Sequence, residues 1–471
     1  MLGRTATRGL KSVPATLRSS IIRQSVPVTG IRFITSSQSN KTVSPSVETV
    51  TTKIAEDKKA IKTYLDTLNN NELFGYGVIG MATLNKPILD LVIKLFPYTP
   101  IWLIKALVYK NYCGGDNKQQ VLQTGERLAE RGIKNMMLSL TIEACDNKEF
   151  SEGISIDYIV KESQKSIGEM LVPHTVKMIE ATPAAEINDI PPGYIALKPT
   201  GLIENASEIL LNYNKPEFKS KYDQLLKNCA DICAIVDKSN KDLLKKYPAR
   251  IAPFIVAVID AERNDLQQGV YKLQRDLFAK FNKEQVSVVG TVQLYLKEST
   301  GVLENEKKLA SEGGYKLGWK LVRGAYIHTE PERGVIFDTK EDTDINYNKN
   351  IKATIDDMNS KSPVVGHLVV ASHNGDSQTR VTKMLAEIKQ DKVKSNVVLG
   401  QLLGMADNVT FDLMTKYNVK NIIKYVPWGP PLETKDYLLR RLEENGDAVR
   451  ADSGWPLVKD ISKTFYRRFF N

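Results

Sequence analysis

The sequence predicts an α/β protein built as a (β/α)8 TIM-like barrel, with a helical region on its N-terminal side. Two observations support this fold class. From about residue 135 onward, eight short apolar or β-branched runs alternate with helical stretches, a pattern that indicates a parallel sheet covered on both faces. Polar residues also recur at one end of these runs, as they do at the carboxyl ends of barrel strands. A count of eight favours a closed barrel over an open sheet.

The predicted strands are short and mostly apolar. They are Met136–Ile142, Tyr194–Lys198, Phe254–Asp260, Ser287–Leu294, Gly318–Arg323, Gly366–Ser372, Val397–Leu402 and Asn421–Val426. The helical stretches include Asp265–Phe281, Glu304–Gly313, Tyr347–Ser360, Gln378–Gln390 and Asp436–Glu444. We expect the last of these to be the final helix of the chain.

Seven polar residues lie at or just beyond the carboxyl end of a predicted strand. They are Lys198, Asp260, Gln293, Arg323, His373, Gln401 and Tyr425. A random scatter would place roughly half of them at the other end, and in a barrel the carboxyl end holds the active site. We therefore expect these side chains to surround one cavity.

Residues 1–41 are predicted to be a mitochondrial transit peptide. The first 47 residues hold seven lysines and arginines and no acidic residue, so they carry +7 of the net charge of +10. Leu10, Leu17 and Ile21 recur near helical spacing between arginines. A basic tail without a targeting role is the alternative. Because residues 48–471 carry only the remaining +3, a basic nucleic-acid-binding face is poorly supported, and we expect no nucleic acid as a partner.

Residues 42–130 are predicted to form an N-terminal helical region, and residues 131–471 the barrel. Ile54–Leu68 is amphipathic, whereas Ile88–Leu95 and Ile101–Tyr109 are strongly apolar but interrupted by charges. Neither apolar segment approaches the ~20 apolar residues that a membrane span needs. We expect these helices to pack against the barrel, and a role at a membrane surface is the alternative.

Two features of the sequence have no expected function. Gly75–Gly80 matches the dinucleotide-binding pattern G-x-G-x-x-G, but it follows a helical pattern and lacks an acidic residue ~20 positions later at the end of a second strand. We interpret it as a connection between helices. The four cysteines contain no C-x-x-C pair and the four histidines are scattered, so neither a disulfide framework nor a metal site is expected.

Six motifs follow one another at predicted strand ends and in the helix after the last strand. They are Val258–Glu262 (VIDAE), Gly318–Tyr326 (GWKLVRGAY), Ala371–Asn374 (ASHN), Gln401–Met405 (QLLGM), Lys424–Pro430 (KYVPWGP) and Tyr437–Asn445 (YLLRRLEEN). No single motif is diagnostic. Together, over about residues 135–455, they resemble the proline dehydrogenase (proline oxidase) family in its mitochondrial form.

The resemblance implies a distorted (β/α)8 barrel that binds FAD non-covalently and without a dinucleotide-binding fold. The implied reaction is the first step of proline catabolism, the oxidation of L-proline to 1-pyrroline-5-carboxylate by hydride transfer to flavin N5. The electrons then pass to a membrane quinone. We therefore expect L-proline and a quinone as partners, a location on the matrix side of the mitochondrion, and peripheral association with the inner membrane.

The resemblance assigns Arg440, Arg441 and Lys198 to the substrate carboxylate, a planar anion that suits the guanidinium fork. Without the resemblance, an Arg-Arg pair on a helix is more often a solvated face. Glu444 lies four residues after Arg440 and three after Arg441, which is the spacing of an orienting ion pair. The residues that match aromatic positions around the pyrrolidine ring are Tyr326, Tyr425 and Tyr437.

Two residues match catalytic positions. Asp260 is expected to orient a cation or the substrate amine, and Lys320 to lie near flavin N5, where bacterial members usually carry arginine. The sequence does not identify the group that takes the amine proton. The residues that match cofactor-binding positions are Ala261, Gln293, Arg323, Gly324, Ala325, His373, Asn374 and Gln401.

Three other functions remain as alternatives. A hydroxyproline dehydrogenase of the same family is disfavoured by Tyr425, because relatives that take hydroxyproline carry a smaller residue there. A phosphate-binding lyase would need a glycine-rich loop after the seventh or eighth strand, whereas Lys424–Pro431 has one glycine and three prolines. A basic nucleic-acid or membrane-surface protein without enzymatic activity is disfavoured by the small charge of the mature chain.

Overall fold

The computed structural model of the chain describes residues 63–142, 154–449 and 454–470, without the side chains of 444–449 and 454. Eight parallel strands form a closed barrel in chain order. They are β1 (Asn135–Leu140), β2 (Gly193–Leu197), β3 (Ile255–Ile259), β4 (Val288–Gln293), β5 (Leu317–Val322), β6 (Val365–Ala371), β7 (Val397–Leu402) and β8 (Ile422–Trp428).

The barrel closes where β8 pairs with β1 in parallel, in a register that runs from Asn135 opposite Ile423 to Leu140 opposite Trp428. Every observed strand overlaps the run from which it was predicted, and the predicted TIM-like barrel is confirmed. The register of β5 against β6 shifts once, between Leu317 and Gly318.

The strands are continuously apolar because both of their faces are buried. Every residue of β1 to β4 is buried, and alternate side chains point into the barrel or towards the helices outside it. The inward set, which includes Met137, Tyr194, Val258 and Ile423, forms one apolar cluster. The outward set forms a larger cluster with the surrounding helices, so burial supports the sheet from both sides.

The helices fall into a group that precedes the first strand and a group that follows it. The first group is α1 (Asn70–Ala82), α2 (Lys86–Leu95), α3 (Ile101–Ile104), α4 (Lys110–Tyr112) and α5 (Lys118–Glu130), with a π-helical turn (Lys105–Tyr109) between α3 and α4. The second is α6 (Ile156–Lys165), α7 (Val172–Glu180), α8 (Ala206–Leu211), α9 (Lys219–Lys246), α10 (Asn264–Phe281), α11 (Ser299–Gly313), α12 (Lys340–Met358), α13 (Gly375–Glu387), α14 (Asp391–Asn396), α15 (Asp407–Tyr417), α16 (Pro431–Val449) and α17 (Gly454–Phe470).

Helix α10 shows why these segments are helical and why they cover the barrel. Leu266, Val270, Leu273 and Leu277 recur at spacings of three and four residues and are all buried. This periodicity places them on one face of the helix. Polar residues lie between them, so the opposite face is solvated. The same pattern fixes which side of each helix meets the sheet.

The predicted connection at Gly75–Gly80 is wrong, because these residues lie inside helix α1. Packing explains the glycines. A Cβ on Gly75 would lie 2.6 Å from the side-chain nitrogen of Asn111, and one on Gly80 would lie 2.9 Å from Val458. The glycines therefore allow neighbouring helices to approach α1 closely.

Two further predictions concern the ends of the chain. The transit peptide and most of Ile54–Leu68 lie outside the described residues. The described part of that segment, residues 63–68, contains a single 3-10 turn (Tyr64–Thr67) rather than an α-helix. The helix over Asp436–Glu444 is present as part of α16, but it is not the final one, because α17 follows it. None of the helices in the described part of the chain is long and apolar enough to span a bilayer.

Candidate active site

A cavity of about 920 Å³ lies at the carboxyl end of the barrel. Its volume is in the range of cofactor and ligand sites. Sixteen of the seventeen predicted site residues line it; the side chain of the other, Glu444, lies outside the described residues. The structure therefore brings together residues that come from all strands from β2 to β8 and from helix α16. Their individual roles remain predictions.

A charged group lies at the base of the cavity, where Asp260, Lys320 and Tyr425 meet. Lys320 donates to Oδ1 of Asp260 and forms a buried ion pair with it. The phenol of Tyr425 donates to Oδ2 of the same carboxylate over 3.1 Å. The Lys320 ammonium also lies 5.5 Å from the centre of the Tyr425 ring, within range of a cation–π interaction.

The orientation of the Tyr425 ring depends on a residue that the sequence did not identify. Ser139 on β1 has its hydroxyl 2.7 Å from the phenol oxygen. Since the Asp260 carboxylate only accepts, the phenol donates to Asp260 and accepts from Ser139. Burial, followed by the negative charge of Asp260, raises the pKa of Tyr425 well above its usual value. The phenol therefore stays protonated.

The wall formed by β4 and β5 is held by hydrogen bonds of the Gln293 amide. Its oxygen accepts from the backbone N–H of Ala325 at 2.9 Å, and its nitrogen donates to the carbonyl of Glu262 at 3.0 Å. Gly324 allows the chain to pass close to Tyr295, because a Cβ here would lie 2.4 Å from that ring. Gln293 thus holds the loop after β5 against the cavity.

Tyr326 lies in the loop after β5, next to the wall formed by β4 and β5. Its hydroxyl donates towards the carbonyl of Ala261 and the carboxylate of Glu262, at 3.2 Å each. Glu262 also accepts from the hydroxyl of Thr200, at 2.8 Å. The hydroxyl of Tyr326 is therefore engaged by the protein, while the residue lines the cavity.

A group of charged side chains lies where β5 and β6 end. Arg323 forms an ion pair with Asp344 of helix α12, and Lys340 pairs with the same carboxylate at 2.9 Å. The amide nitrogen of Asn374 donates to Asp344 at 3.2 Å, while its oxygen caps helix α13 by accepting from the N–H of Ser377. Arg323, Lys340 and Asn374 line the cavity. With two cations and one carboxylate, this corner keeps a net positive charge that suits an anionic ligand.

His373 and Gln401 supply hydrogen-bond donors on the next wall. Nε2 of His373 accepts from the N–H of Leu402 at 3.2 Å. Burial, together with the charges of Lys424 and Arg441, lowers the pKa of His373 to about 4. The imidazole is therefore neutral and carries its proton on Nδ1. The amide oxygen of Gln401 accepts from Thr410 at 2.9 Å, and its buried nitrogen has no hydrogen-bond partner within the described part of the protein.

Helix α16 carries four of the predicted residues, and its start is fixed by the backbone of Gly429. Gly429 has φ +142 and lies so close to Thr141 that a Cβ would come within 2.8 Å of the threonine hydroxyl. Only glycine adopts this conformation readily. Pro431 then occupies the first position of the helix, where a missing N–H costs nothing. This turn directs α16 across the mouth of the barrel.

From α16, Tyr437, Arg440 and Arg441 line the cavity together with Lys198, which follows β2. The guanidinium of Arg441 lies 5.0 Å from the centre of the Tyr437 ring. Two guanidinium groups and one ammonium thus border the same space, an arrangement that suits a small carboxylate.

A second polar group, which the sequence prediction missed, is built around Lys424 of β8. Lys424 is 1% exposed, and it pairs with Asp407 at 2.7 Å and donates to the carbonyl of Met405 at 2.9 Å. Tyr76 of helix α1 donates to the other oxygen of Asp407. Burial lowers the pKa of Lys424, and Asp407 opposes that effect. This network fastens the N-terminal helices to the barrel next to Tyr425.

The residues that the sequence prediction missed differ in the signal that they carried. Ser139, like Thr291, is a polar residue within an apolar strand, and both line the cavity. Their inward orientation follows from strand alternation and was available in the sequence. Lys340 and Asp344 lie at the start of a helix among other charged residues, where nothing marks them out. No group of acidic, cysteine and histidine side chains that could hold a metal ion occurs among the described residues.

The sequence matches one family over most of its length. The profile of the family described as "Proline dehydrogenase" matches residues 121–452. "Probable proline dehydrogenase, mitochondrial" of Schizosaccharomyces pombe is 30% identical over 390 residues, which are 75% of this chain and 78% of that protein. "Proline dehydrogenase 1, mitochondrial" of Dictyostelium discoideum is 26% identical over 456 residues, or 88% and 75% of the two chains.

Solved structures agree with this assignment at the level of the fold. Proline utilization A from Bdellovibrio bacteriovorus, inactivated by N-propargylglycine, has a TM-score of 0.58 and 17% identity, over 83% of this chain and 39% of that one. This chain therefore spans less than half of that larger protein, and the likeness shows the fold alone. The family match over most of the chain is sufficient by itself: the chain belongs to the proline dehydrogenase family.

Proposed function

We propose that this enzyme oxidises L-proline to 1-pyrroline-5-carboxylate with non-covalently bound FAD and passes the electrons to a membrane quinone. The observation that carries the proposal is the meeting, in one cavity, of three cations suited to a carboxylate and the buried group of Asp260, Lys320 and Tyr425. Membership of the proline dehydrogenase family supports it.

The lining of the cavity fits a flavin dinucleotide. The buried amide nitrogen of Gln401 lacks a partner, a costly state that a ring carbonyl of a cofactor would relieve. The Nδ1–H of His373 is a second donor, and Arg323 with Lys340 would face the phosphates. When bound, FAD supplies the acceptor for the hydride that leaves C5 of proline.

The protein residues have three tasks in this reaction. Arg440, Arg441 and Lys198 bind the carboxylate of proline, which fixes one end of the substrate. Tyr425, held by Ser139 and Asp260, forms a rigid wall beside the pyrrolidine ring. The positive charge of Lys320, close to this wall, stabilises negative charge that develops near it.

We further propose that the enzyme works in the mitochondrion, on the matrix side and peripherally associated with the inner membrane. The relatives from S. pombe and D. discoideum are both named as mitochondrial, and the acid-free leader supports import. A quinone acceptor would be dissolved in the membrane, which is the reason to expect the enzyme at its surface.

Anaerobic titration tests the proposed reaction. The purified protein should be yellow, and proline should bleach its flavin band while hydroxyproline bleaches it poorly. Acid precipitation should release the flavin into the supernatant if it is held non-covalently. Protein that retains FAD but is not reduced by proline would contradict the proposal, and preferential reduction by hydroxyproline would favour the alternative substrate.

A further inference from the structure

A row of exposed apolar side chains runs along helix α2 and the segment after it. Ile88, Leu91 and Leu95 share one face of α2 by their spacing of three and four residues, and Tyr98 and Trp102 follow in the segment after it. These five residues are here termed the apolar stripe. Tyr98 is 83% exposed and Trp102 is 69% exposed. Other apolar side chains of the same segment are buried in the protein, so the packing of the fold does not account for the stripe.

Exposed apolar residues are concentrated around this stripe. The described residues expose nineteen large apolar side chains, and eleven of them lie between Phe74 and Trp102 or on helix α17. Helix α17 packs on α1, and α1 contacts α2, so these helices are neighbours. Soluble proteins rarely expose apolar side chains in such concentration except where they meet a partner or a membrane.

Positive charge is concentrated in the same helices. The segment from Lys86 to Tyr112 holds four lysines and one aspartate, and α17 holds four basic residues and one aspartate. Two of these cations, Lys105 and Arg467, pair with the carboxylates of Asp116 and Asp66 outside the two segments, so a smaller positive excess remains. Residues 48–471 carry only +3 in total, so the rest of this region is net negative. Lys94 and Lys459 are exposed, and basic residues beside apolar ones are typical of helices that lie on anionic membranes.

We propose that the apolar stripe docks on an anionic lipid surface. Trp102 and Tyr98 are the residue types that favour the boundary between headgroups and acyl chains. A second copy of the chain would bring the same positive charge to the interface, and the leader of this chain is itself basic. Both would be repelled, whereas anionic lipid is complementary in charge as well as in polarity.

The stripe lies next to the helix that borders the active site. Lys435 at the start of α16 donates to the carbonyls of Pro97 and Thr99, at 2.6 and 2.9 Å. Tyr437 of the same helix packs in one cluster with Phe96 and Ile104. Docking would therefore place α16 close to the bilayer, where a lipid-dissolved acceptor is found. This consequence rests on the proposed function.

The double variant Leu91→Glu/Leu95→Glu tests the docking surface. These leucines are 56% and 53% exposed, so charge can be added without disturbing a core. The matched control is Leu211→Glu/Leu244→Glu, at two exposed leucines on helices α8 and α9. Each full-length chain is expressed, recovered from mitochondria, and sedimented with vesicles of phosphatidylcholine alone or mixed with phosphatidylglycerol.

We expect the wild type and the control to sediment with the anionic vesicles, and to do so less strongly at high salt. The stripe variant should bind these vesicles at least about tenfold more weakly. Unchanged binding by the stripe variant, or equal loss in the control, would overturn the proposal. Equal binding of the wild type to neutral vesicles would overturn the choice of an anionic surface. A wild-type dimer that the stripe variant dissociates would assign the surface to a second copy.

Vesicle binding requires neither proline nor a quinone, so it is independent of the proposed reaction. With a soluble dye as acceptor, the stripe variant should oxidise proline as fast as the wild type, which also shows that it is folded. With a quinone embedded in vesicles, its rate should fall in parallel with its binding. Absence of proline-dependent dye reduction in the wild type would instead contradict the proposed function.

Discussion

The phenol of Tyr425 donates to Oδ2 of Asp260 over 3.1 Å, while the ammonium of Lys320 binds the other oxygen of that carboxylate. The three residues come from β8, from the end of β3 and from β5. The side chains of Lys320 and Asp260 are 8% and 14% exposed, so each charge is stabilised mainly by the other, with Tyr425 as a further donor to Asp260. They therefore behave as one electrostatic unit, and removal of one member affects the others.

Lys320→Met should reveal this dependence, because it keeps most of the side-chain volume and leaves the Asp260 charge without its partner. We expect a loss of about 3–5 kcal/mol in the free energy of unfolding, measured by urea denaturation. The double variant Lys320→Met/Asp260→Asn should lose less than the sum of the single variants, with a coupling of about 0.5–3 kcal/mol. Lys349→Met on the exposed face of α12 is the control. Additive effects would mean that the two residues are independent.

Arg440→Met and Arg441→Met test the carboxylate site. Each removes a charged hydrogen-bond donor, which costs ~2–4 kcal/mol and raises the KM for proline by ~30- to 1000-fold. The FAD content should remain normal, and Arg380→Met on the surface of α13 should change neither quantity. If both single variants keep the wild-type KM, these arginines do not bind the substrate.

Gln401→Leu tests the cofactor assignment through the affinity for FAD rather than through turnover. The amide nitrogen of Gln401 is buried and lacks a partner within the described residues, so a bound flavin should satisfy it. Loss of one such bond should weaken FAD binding by about 1–3 kcal/mol, or roughly 5- to 150-fold. Thr410→Val, which removes the hydroxyl that supports the Gln401 oxygen, should have a smaller effect. Equal FAD affinity in Gln401→Leu and the wild type would exclude the amide as a ligand.

Stability should also depend on pH through His367, which is buried inside the barrel. Nδ1 of its ring lies 2.9 Å from Oδ1 of Asn396, and Nε2 lies 2.9 Å from the hydroxyl of Tyr194. Burial lowers its pKa to about 4, whereas in the unfolded chain the pKa is near 6.5. Between these values the unfolded state binds more protons, so stability is complete above pH 6.5 and falls as the pH decreases towards 4.

Over this pH range, His367 contributes about 3 kcal/mol at most to the free energy of unfolding. His367→Gln should be less stable at neutral pH but should lose less stability on acidification, as measured by urea midpoints between pH 7 and pH 4.5. His328→Gln, which removes an exposed histidine, is the control. If His367→Gln and the wild type lose stability in parallel, the histidine is not the group that titrates.

The strands were predictable because burial on both faces leaves a continuous apolar run that ends in a polar residue. Val397–Leu402 was predicted with its observed boundaries, and Asp260 was expected at the end of the strand that it follows. Helix α17 carried a comparable signal in the spacing of Leu457, Ile461 and Phe465. The prediction missed it because the apolar residues on its outer side obscure the periodicity.

The contacts between strands could not be predicted in the same way. Ser139 and Tyr425 are 286 residues apart and meet only because β8 closes against β1. A shift of one residue in that register would turn one of the two side chains out of the barrel. The pairing of Arg323 with Asp344 likewise depends on where helix α12 begins. Both contacts follow from long-range geometry rather than from a local pattern.

Substrate choice provides the last test of the proposed function, in which it depends on Tyr425. If Arg440 and Arg441 bind the proline carboxylate and C5 is directed at the flavin, the ring has little freedom and C4 faces a fixed wall. The wall is rigid because Ser139 and Asp260 both bind the phenol. A hydroxyl on C4 would meet this ring, at a cost of ~1–3 kcal/mol, or ~5- to 200-fold in kcat/KM.

Tyr425→Ser should therefore lower kcat/KM for proline and raise the ratio of hydroxyproline to proline oxidation by a factor in that range. Tyr425→Phe separates the effect of the size of the ring from the effect of the hydrogen bond that its hydroxyl donates. It keeps the ring, so the substrate ratio should remain close to that of the wild type, while the loss of the bond to Asp260 costs about 1 kcal/mol of stability. Ser139→Ala should behave like Tyr425→Phe, because it loosens the same phenol. If the ratio is the same in Tyr425→Ser and in the wild type, the ring does not select the substrate, and Tyr425 acts only through its bond to Asp260.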